Sequence, residues 1–241
     1  MIFLKSKLLF FEIVVLSVTL ALIINVVGSF AIQVSSTTPY YAEQVIVIDA
    51  GHGDFDPGKV ASDGTREKDI NLSIALKLYD IFTANGYTAV LTRSDDTTLA
   101  DKSATSVSTK KKTDTHNRVK YADSFTDSVL ISIHQNSYTE SSSHGTQLFY
   151  GTKNDESKLL AEAIMGSVVD KIQPENTRPL KEGTSSIYIL VNTKAPTVLV
   201  ECGFMTNSEE LKKLKDEEYQ RRMAFSIFLG YLDYKAYIKS E

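Results

Sequence analysis

Four residues of this 241-residue chain have the chemistry of a hydrolytic metal site. His52 follows an apolar run at 45–48, His134 closes a second run beginning at Ser128, Glu201 ends a third at 197–201, and Glu67 leads into a helical segment. Two imidazoles and one carboxylate are a ligand set for catalytic zinc, with the fourth position left to water. A second carboxylate beside the metal can act as general base. Each residue alone has an ordinary structural explanation: strand-end histidines are commonly surface residues, and a glutamate before a helix commonly caps it or forms an ion pair. Glu201 is the odd one, because a charge at the end of an apolar strand is costly to bury unless it is paired.

What brings the four together is the pattern of elements. The runs 45–48 and 197–201 are continuous, largely β-branched and bounded by polar residues, as expected of buried strands. Further strands are expected at 87–92, 128–134 and 146–150, with a short strand or turn at 187–191. Helices are expected at 68–84 (ended by Gly86 as a C-cap), 117–124, 156–172, 208–214 and 218–238. Residues 94–115 read as a long polar loop that includes the run Lys110-Lys111-Lys112. Strands alternating with helices predict a single α/β domain with a mostly parallel sheet. In such sheets ligands bind beyond the carboxyl ends of the strands, the rim on which His52, His134 and Glu201 fall.

Composition narrows the class. Apolar residues at 42% and charged residues at 23% fit a globular chain, and a net charge of −4 argues against a nucleic-acid partner. Cys202 is the single cysteine, so there is no intrachain disulfide. A thiol nucleophile is the rival mechanism it suggests. Adjacent strand residues face opposite ways, however, so Cys202 reads as a small buried hydrophobe behind Glu201. His116 and His144 read as exposed residues. Lys5 and Lys7 precede a long apolar run from Leu8 to Ile32, broken by Glu12. Residues 1–34 are therefore read as a signal peptide or retained membrane anchor, 35–43 as a linker and 44–241 as the catalytic domain. The positive N-terminal flank places that domain outside the cytoplasm.

The stretches VIVIDAGHGDFDPG from Val45, REKDINLSIALKL from Arg66, VLTR ending at Arg93, SIHQNS from Ser132 and TVLVECGFMTN from Thr197 resemble the zinc-dependent N-acetylmuramoyl-L-alanine amidases of the Amidase_3 family. The resemblance covers nearly all of residues 45–235. It implies a six-stranded α/β domain holding one Zn2+ through His52, Glu67 and His134, with Glu201 as the catalytic carboxylate. Asp49 and Asn136 become candidates for contact with the ligands or the substrate. The implied substrate is peptidoglycan, at the amide joining the lactyl group of N-acetylmuramic acid to L-alanine. Too few residues separate His134 from the next strand for the inhibitory helix that some relatives insert there, so control is expected from elsewhere, either the Ser94–Thr115 segment or a partner such as an accessory envelope protein or lipoprotein acting on activity or zinc loading. A short anchored amidase of this kind is similar to the spore-cortex, germination-specific (CwlD-type) enzymes, which act in cortex maturation leading to muramic-δ-lactam. The alternatives are a zinc peptidase or carboxypeptidase cutting within the stem peptide, and an inactive wall-binding protein on the same fold.

Overall fold

The computed structural model describes residues 15–20, 22 and 44–240. The chain divides into two units, Met1–Tyr40 and Tyr41–Glu241. In the first, residues 15–20 and 22 are helical. Among the described residues no helix is long and apolar enough to cross a membrane. The expected signal segment and linker fall almost wholly outside the described residues.

The second unit is a six-stranded sheet in the order β2-β1-β3-β6-β4-β5. Its strands are β1 (Val45–Ala50), β2 (Ala89–Leu91), β3 (Ser128–Asn136), β4 (Gln147–Tyr150), β5 (Lys181–Glu182) and β6 (Thr197–Phe204). The helices are α1 (Glu67–Ala84), α2 (Val107–Ala122), α3 (Glu156–Lys171), α4 (Tyr188–Asn192), α5 (Ser208–Lys215) and α6 (Glu217–Ile238). The sheet is mixed: β4 runs antiparallel to β6, and the other pairings are parallel.

Strand alternation sorts the sheet into two unequal faces. Ile46, Ile48, Ile131, Ile133, Val198, Val200 and Cys202 point to one face, where α1, α3 and α6 cover them with Ile74, Leu78, Phe82, Ile164, Ile227 and Tyr231. Each such fully buried side chain contributes roughly 1.5–3 kcal/mol. Val47, Leu130 and Leu199 point to the other face, under the thinner cover of Val119 and Ala122 from α2 and Ile189 and Leu190 from α4. Asp49, Ser132, His134 and Glu201 continue that second face toward the carboxyl rim, beyond the apolar cover.

Two expectations are corrected. The polar stretch 94–115 is not all loop: α2 begins at Val107, where the Ser106 side chain accepts from the Thr109 amide. The helix is mostly solvated, so it shows little apolar periodicity, and the three lysines lie on it. The segment at 187–191 is the short helix α4, whose Ile189 and Leu190 pack on the thin face.

The turn after β1 is the local structure on which the rim rests. His52 and Asp54 adopt left-handed backbone, with φ of 61° and 48°, a conformation few non-glycine residues take. Two buried arginines occupy its carbonyls. Arg93 donates to Ala50 O (2.9 Å), Gly51 O (3.0 Å) and Lys68 O (2.8 Å). Arg118 donates to Ala50 O (2.8 Å) and His52 O (2.7 Å). Arg118 is neutralised by Asp114 (2.7 Å) and by Asp49, which also accepts from Ser132 (2.6 Å) and Thr92 (2.7 Å). Burial alone would raise the Asp49 pKa, but Arg118 and these hydroxyls outweigh it and hold the carboxyl at about 2.

Removing the Asp49 charge leaves Arg118 buried with one acid in place of two. Asp49→Asn is therefore expected to cost about 3 kcal/mol at neutral pH. Because the folded pKa is depressed, this stabilisation is present above the ordinary carboxylate value of 3.8 and is lost as pH falls toward 2. Urea unfolding at pH 7 and pH 3 checks this: the gap between the two proteins should narrow at the lower pH. A gap under about 1 kcal/mol at pH 7 would contradict the assignment.

Candidate metal centre

Glu67 is the first residue of α1, where the helix dipole favours a carboxylate. Its Oε1 lies 3.1 Å from His52 Nε2 and 3.0 Å from His134 Nδ1, and accepts from the Gln135 amide (3.1 Å) and Asn71 Nδ2 (3.3 Å). Its Oε2 accepts from the Lys59 amide at 2.8 Å. The Gln135 amide lies on the β1 side of β3, beyond the last residue of β1, and so is free to meet this carboxylate. Among the described residues, His52, Glu67 and His134 form the group that could hold a metal ion, with one ligand atom from each lying within 4.8 Å of the others.

The orientation of the rings is fixed from behind. His52 Nδ1 lies 2.8 Å from Asp56 Oδ2, and Asp56 is in turn held by Lys111 (2.8 Å) and the Gly58 amide (3.2 Å). A carboxylate on the far nitrogen is the usual device for aiming a metal-binding imidazole. His134 packs against Gly51, where a Cβ would collide with the ring. Gly58, at φ +65°, leaves the space filled by Glu67 and His52.

The electrostatics are those of a cation site. Burial would raise the pKa of Glu67, but the two imidazoles hold it far below the usual carboxylate range. Burial would lower His52, but its hydrogen bonds to Asp56 and Glu67 prevail and raise it to about 9. Glu201 is the register partner of His134 on the neighbouring strand and shares its face. One of its carboxylate oxygens is buried without a hydrogen-bond partner. Burial, reinforced by the negative charge of Glu67 and opposed by the two histidines, raises Glu201 to about 7, a value suited to taking up and returning a proton near neutral pH. The donor set, the space left by two glycines and the orphaned Glu201 oxygen all fit a divalent ion of the zinc type.

The remaining sequence candidates lie as follows. Asp49 is buried behind the site and engaged with Arg118. Asn136 is half-buried at the end of β3, where its side chain accepts from the Ser137 amide at 2.8 Å. Cys202 is fully buried in the opposite core, and burial pushes its thiol well above its ordinary value. His116 stacks on Tyr188 at 4.2 Å, and His144 is exposed. Sequence reasoning missed Asp56, Asn71, Arg118 and the part played by Arg93. Asp56 had a faint signal in its spacing of four from His52, whereas Arg118 reaches the site across 66 positions of sequence.

Residues 46–232 match the Amidase_3 family of N-acetylmuramoyl-L-alanine amidases. The chain is 32% identical over 191 residues to the germination-specific N-acetylmuramoyl-L-alanine amidase of Bacillus subtilis (strain 168), covering 79% of each protein. Its structure is similar to that of the CwlD amidase from Clostridioides difficile, solved in complex with the GerS lipoprotein: TM-score 0.76, 35% identity, 80% of this chain and 98% of that one. It is also similar to the catalytic domain of CwlV, an N-acetylmuramoyl-L-alanine amidase from Bacillus (Paenibacillus) polymyxa var. colistinus, with TM-score 0.67 and 34% identity over 80% of this chain and 98% of that one. A rim carrying two histidines and two glutamates in this arrangement, on a sheet of this order, thus comes with matching sequence along most of the chain, which belongs to the N-acetylmuramoyl-L-alanine amidase family Amidase_3.

Proposed function

We propose that this chain hydrolyses the amide between the lactyl group of N-acetylmuramic acid and L-alanine in peptidoglycan, using one zinc ion held by His52, Glu67 and His134, with Glu201 as general base and then general acid. The observation that carries this reading is the convergence of three ligand atoms within 4.8 Å beside a glutamate whose buried oxygen has no partner. Zinc in such a site supplies Lewis acidity, making water a competent nucleophile near neutral pH and polarising a carbonyl. Glu201 accepts the proton of the attacking water. It then gives that proton to the leaving alanine nitrogen, which cannot depart as an anion. Asp56 keeps His52 aimed, and Asp49, through Arg118, keeps the turn that carries His52 in place.

The likeness to a germination-specific amidase supports a biological setting for this reading. We assign the chain to export, with residues 1–34 as signal peptide or membrane anchor, 35–43 as linker and 44–241 as the amidase domain. Its proposed place is the outer face of the membrane, the cell envelope or the forespore intermembrane space, and its proposed role is cortex maturation on the route to muramic-δ-lactam. The GerS complex of the C. difficile relative supports a lipoprotein partner that governs activity or zinc loading.

Glu201→Gln is expected to keep stoichiometric zinc while hydrolysis falls by about 10²–10⁴-fold. Zinc analysis together with mass spectrometry of muropeptide digests checks it. The wild-type products should be a sugar with a free lactyl carboxylate and a peptide with a free alanine amine; cuts within the peptide would instead mark a peptidase. A second expectation concerns protons. His52 must be neutral to bind metal, yet without metal it is held at about 9, so zinc binding at pH 7 should release about one proton and weaken as pH falls. Calorimetry in buffers of different ionisation enthalpy measures this, and a proton count of zero would contradict it.

A further inference from the structure

Arg178 sits in the segment between α3 and the edge strand β5. Because β4 and β5 run opposite to β6, their starts lie on the carboxyl rim with His52, His134 and Glu201. The Arg178 guanidinium lies over the Phe204 ring, 4.5 Å from its centroid, three positions beyond Glu201. Its Nε donates to His144 O at 2.6 Å, and its backbone amide donates to Asn176 Oδ1 at 3.1 Å. Asn176 is buried and anchored to Thr146 O at 2.9 Å. The carbonyl of the next residue, Pro179, accepts from Gln147 Nε2 at 2.6 Å, and Gln147 is the register partner of Glu201. The segment carrying Arg178 is thus tied directly to the strand beside the catalytic carboxylate.

This arrangement leaves two polar groups unspent. Among the described residues, no carboxylate lies within ion-pair distance of Arg178; Arg93 and Arg222 also lack one, but of the three only Arg178 lies beside the strand that carries Glu201. Gln147 is buried, its amide is oriented by the bond to Pro179, and its Oε1 has no partner. A buried acceptor is unfavourable while it has no donor. A planar guanidinium held by stacking and a backbone bond is organised for a carboxylate, because little freedom remains to be lost on binding.

We propose that Arg178 is a substrate-binding residue that receives a carboxylate of the stem peptide and makes the enzyme selective for carboxylate-bearing stems. This rests on the function proposed above. Before hydrolysis the lactyl carboxyl is tied up in the scissile amide, so any carboxylate available to Arg178 belongs to the peptide half. The experiment uses the zinc-loaded full chain with two defined muropeptides, one with free peptide carboxylates and one with those groups amidated. Wild type should favour the first, with a KM about tenfold lower, equivalent to about 1.4 kcal/mol. Arg178→Gln should raise KM about tenfold on the carboxylate substrate, change kcat far less, and bring the two substrates within about twofold. Arg178→Lys should restore part of the preference. A KM penalty of equal size on both substrates, or none on either, overturns the proposal. Should Arg178→Gln fail to fold, the wild-type comparison decides alone, because absence of any preference overturns it. Wild type that cleaves the muramoyl–alanine bond without preference sinks only this inference; wild type that leaves the bond intact sinks the functional reading as well.

Discussion

The carboxylate of Glu67 sits at the start of a helix with two imidazoles against one of its oxygens and three further donors around the pair. So many donors around one buried anion favour the charged form strongly, and that charge in turn draws a proton, or a metal in its place, to His52. The three groups come from the left-handed turn after β1, the start of α1 and the end of β3. Fixing the carboxylate therefore fixes how those elements meet. The arginines behind the turn serve the same end: Arg93 and Arg118 occupy carbonyls that a turn of this shape cannot pair within itself, and Asp49 and Asp114 make the charge of Arg118 tolerable in the interior.

The sheet gives the site its access. One face lies under three long helices and supplies most of the core, including Cys202. The other has short, sparse cover that ends before the carboxyl rim, and there the same strand alternation that places Val47, Leu130 and Leu199 in the core places Asp49, Ser132, His134 and Glu201 in sequence toward solvent. The antiparallel β4 extends that rim sideways. It sets Gln147 beside Glu201 and brings the Arg178 segment to the rim.

Much of this was legible in the residues because the central strands carry continuous, largely β-branched runs that His134 and Glu201 close and His52 follows. A charge at the end of an apolar strand has few structural uses, and that made Glu201 readable as functional. What was not legible had a common physical cause. The start of α2 is specified by a Ser106 cap and a solvated face rich in Ser, Thr and Lys, which resembles a loop when periodicity is the guide. Helix α4 is a five-residue apolar segment that reads equally well as a strand. Strand β5 has two residues and depends on its partner β4. Asn71, Arg93 and Arg118 act through contacts set by the fold, several of them distant in sequence, and nothing in their local patterns marks them; Asp56 offers only its spacing of four from His52.

The central claim is that the two histidines and Glu67 form a single zinc site with no sulfur ligand. X-ray absorption at the zinc edge on the purified chain, with metal content determined on the same sample, tests it most directly. One zinc per chain and a first coordination shell of nitrogen and oxygen only, at about 2.0–2.1 Å, with scattering from two imidazole rings, are expected. A sulfur shell near about 2.3 Å, a single imidazole, or zinc content well below one per chain under saturating metal would contradict it.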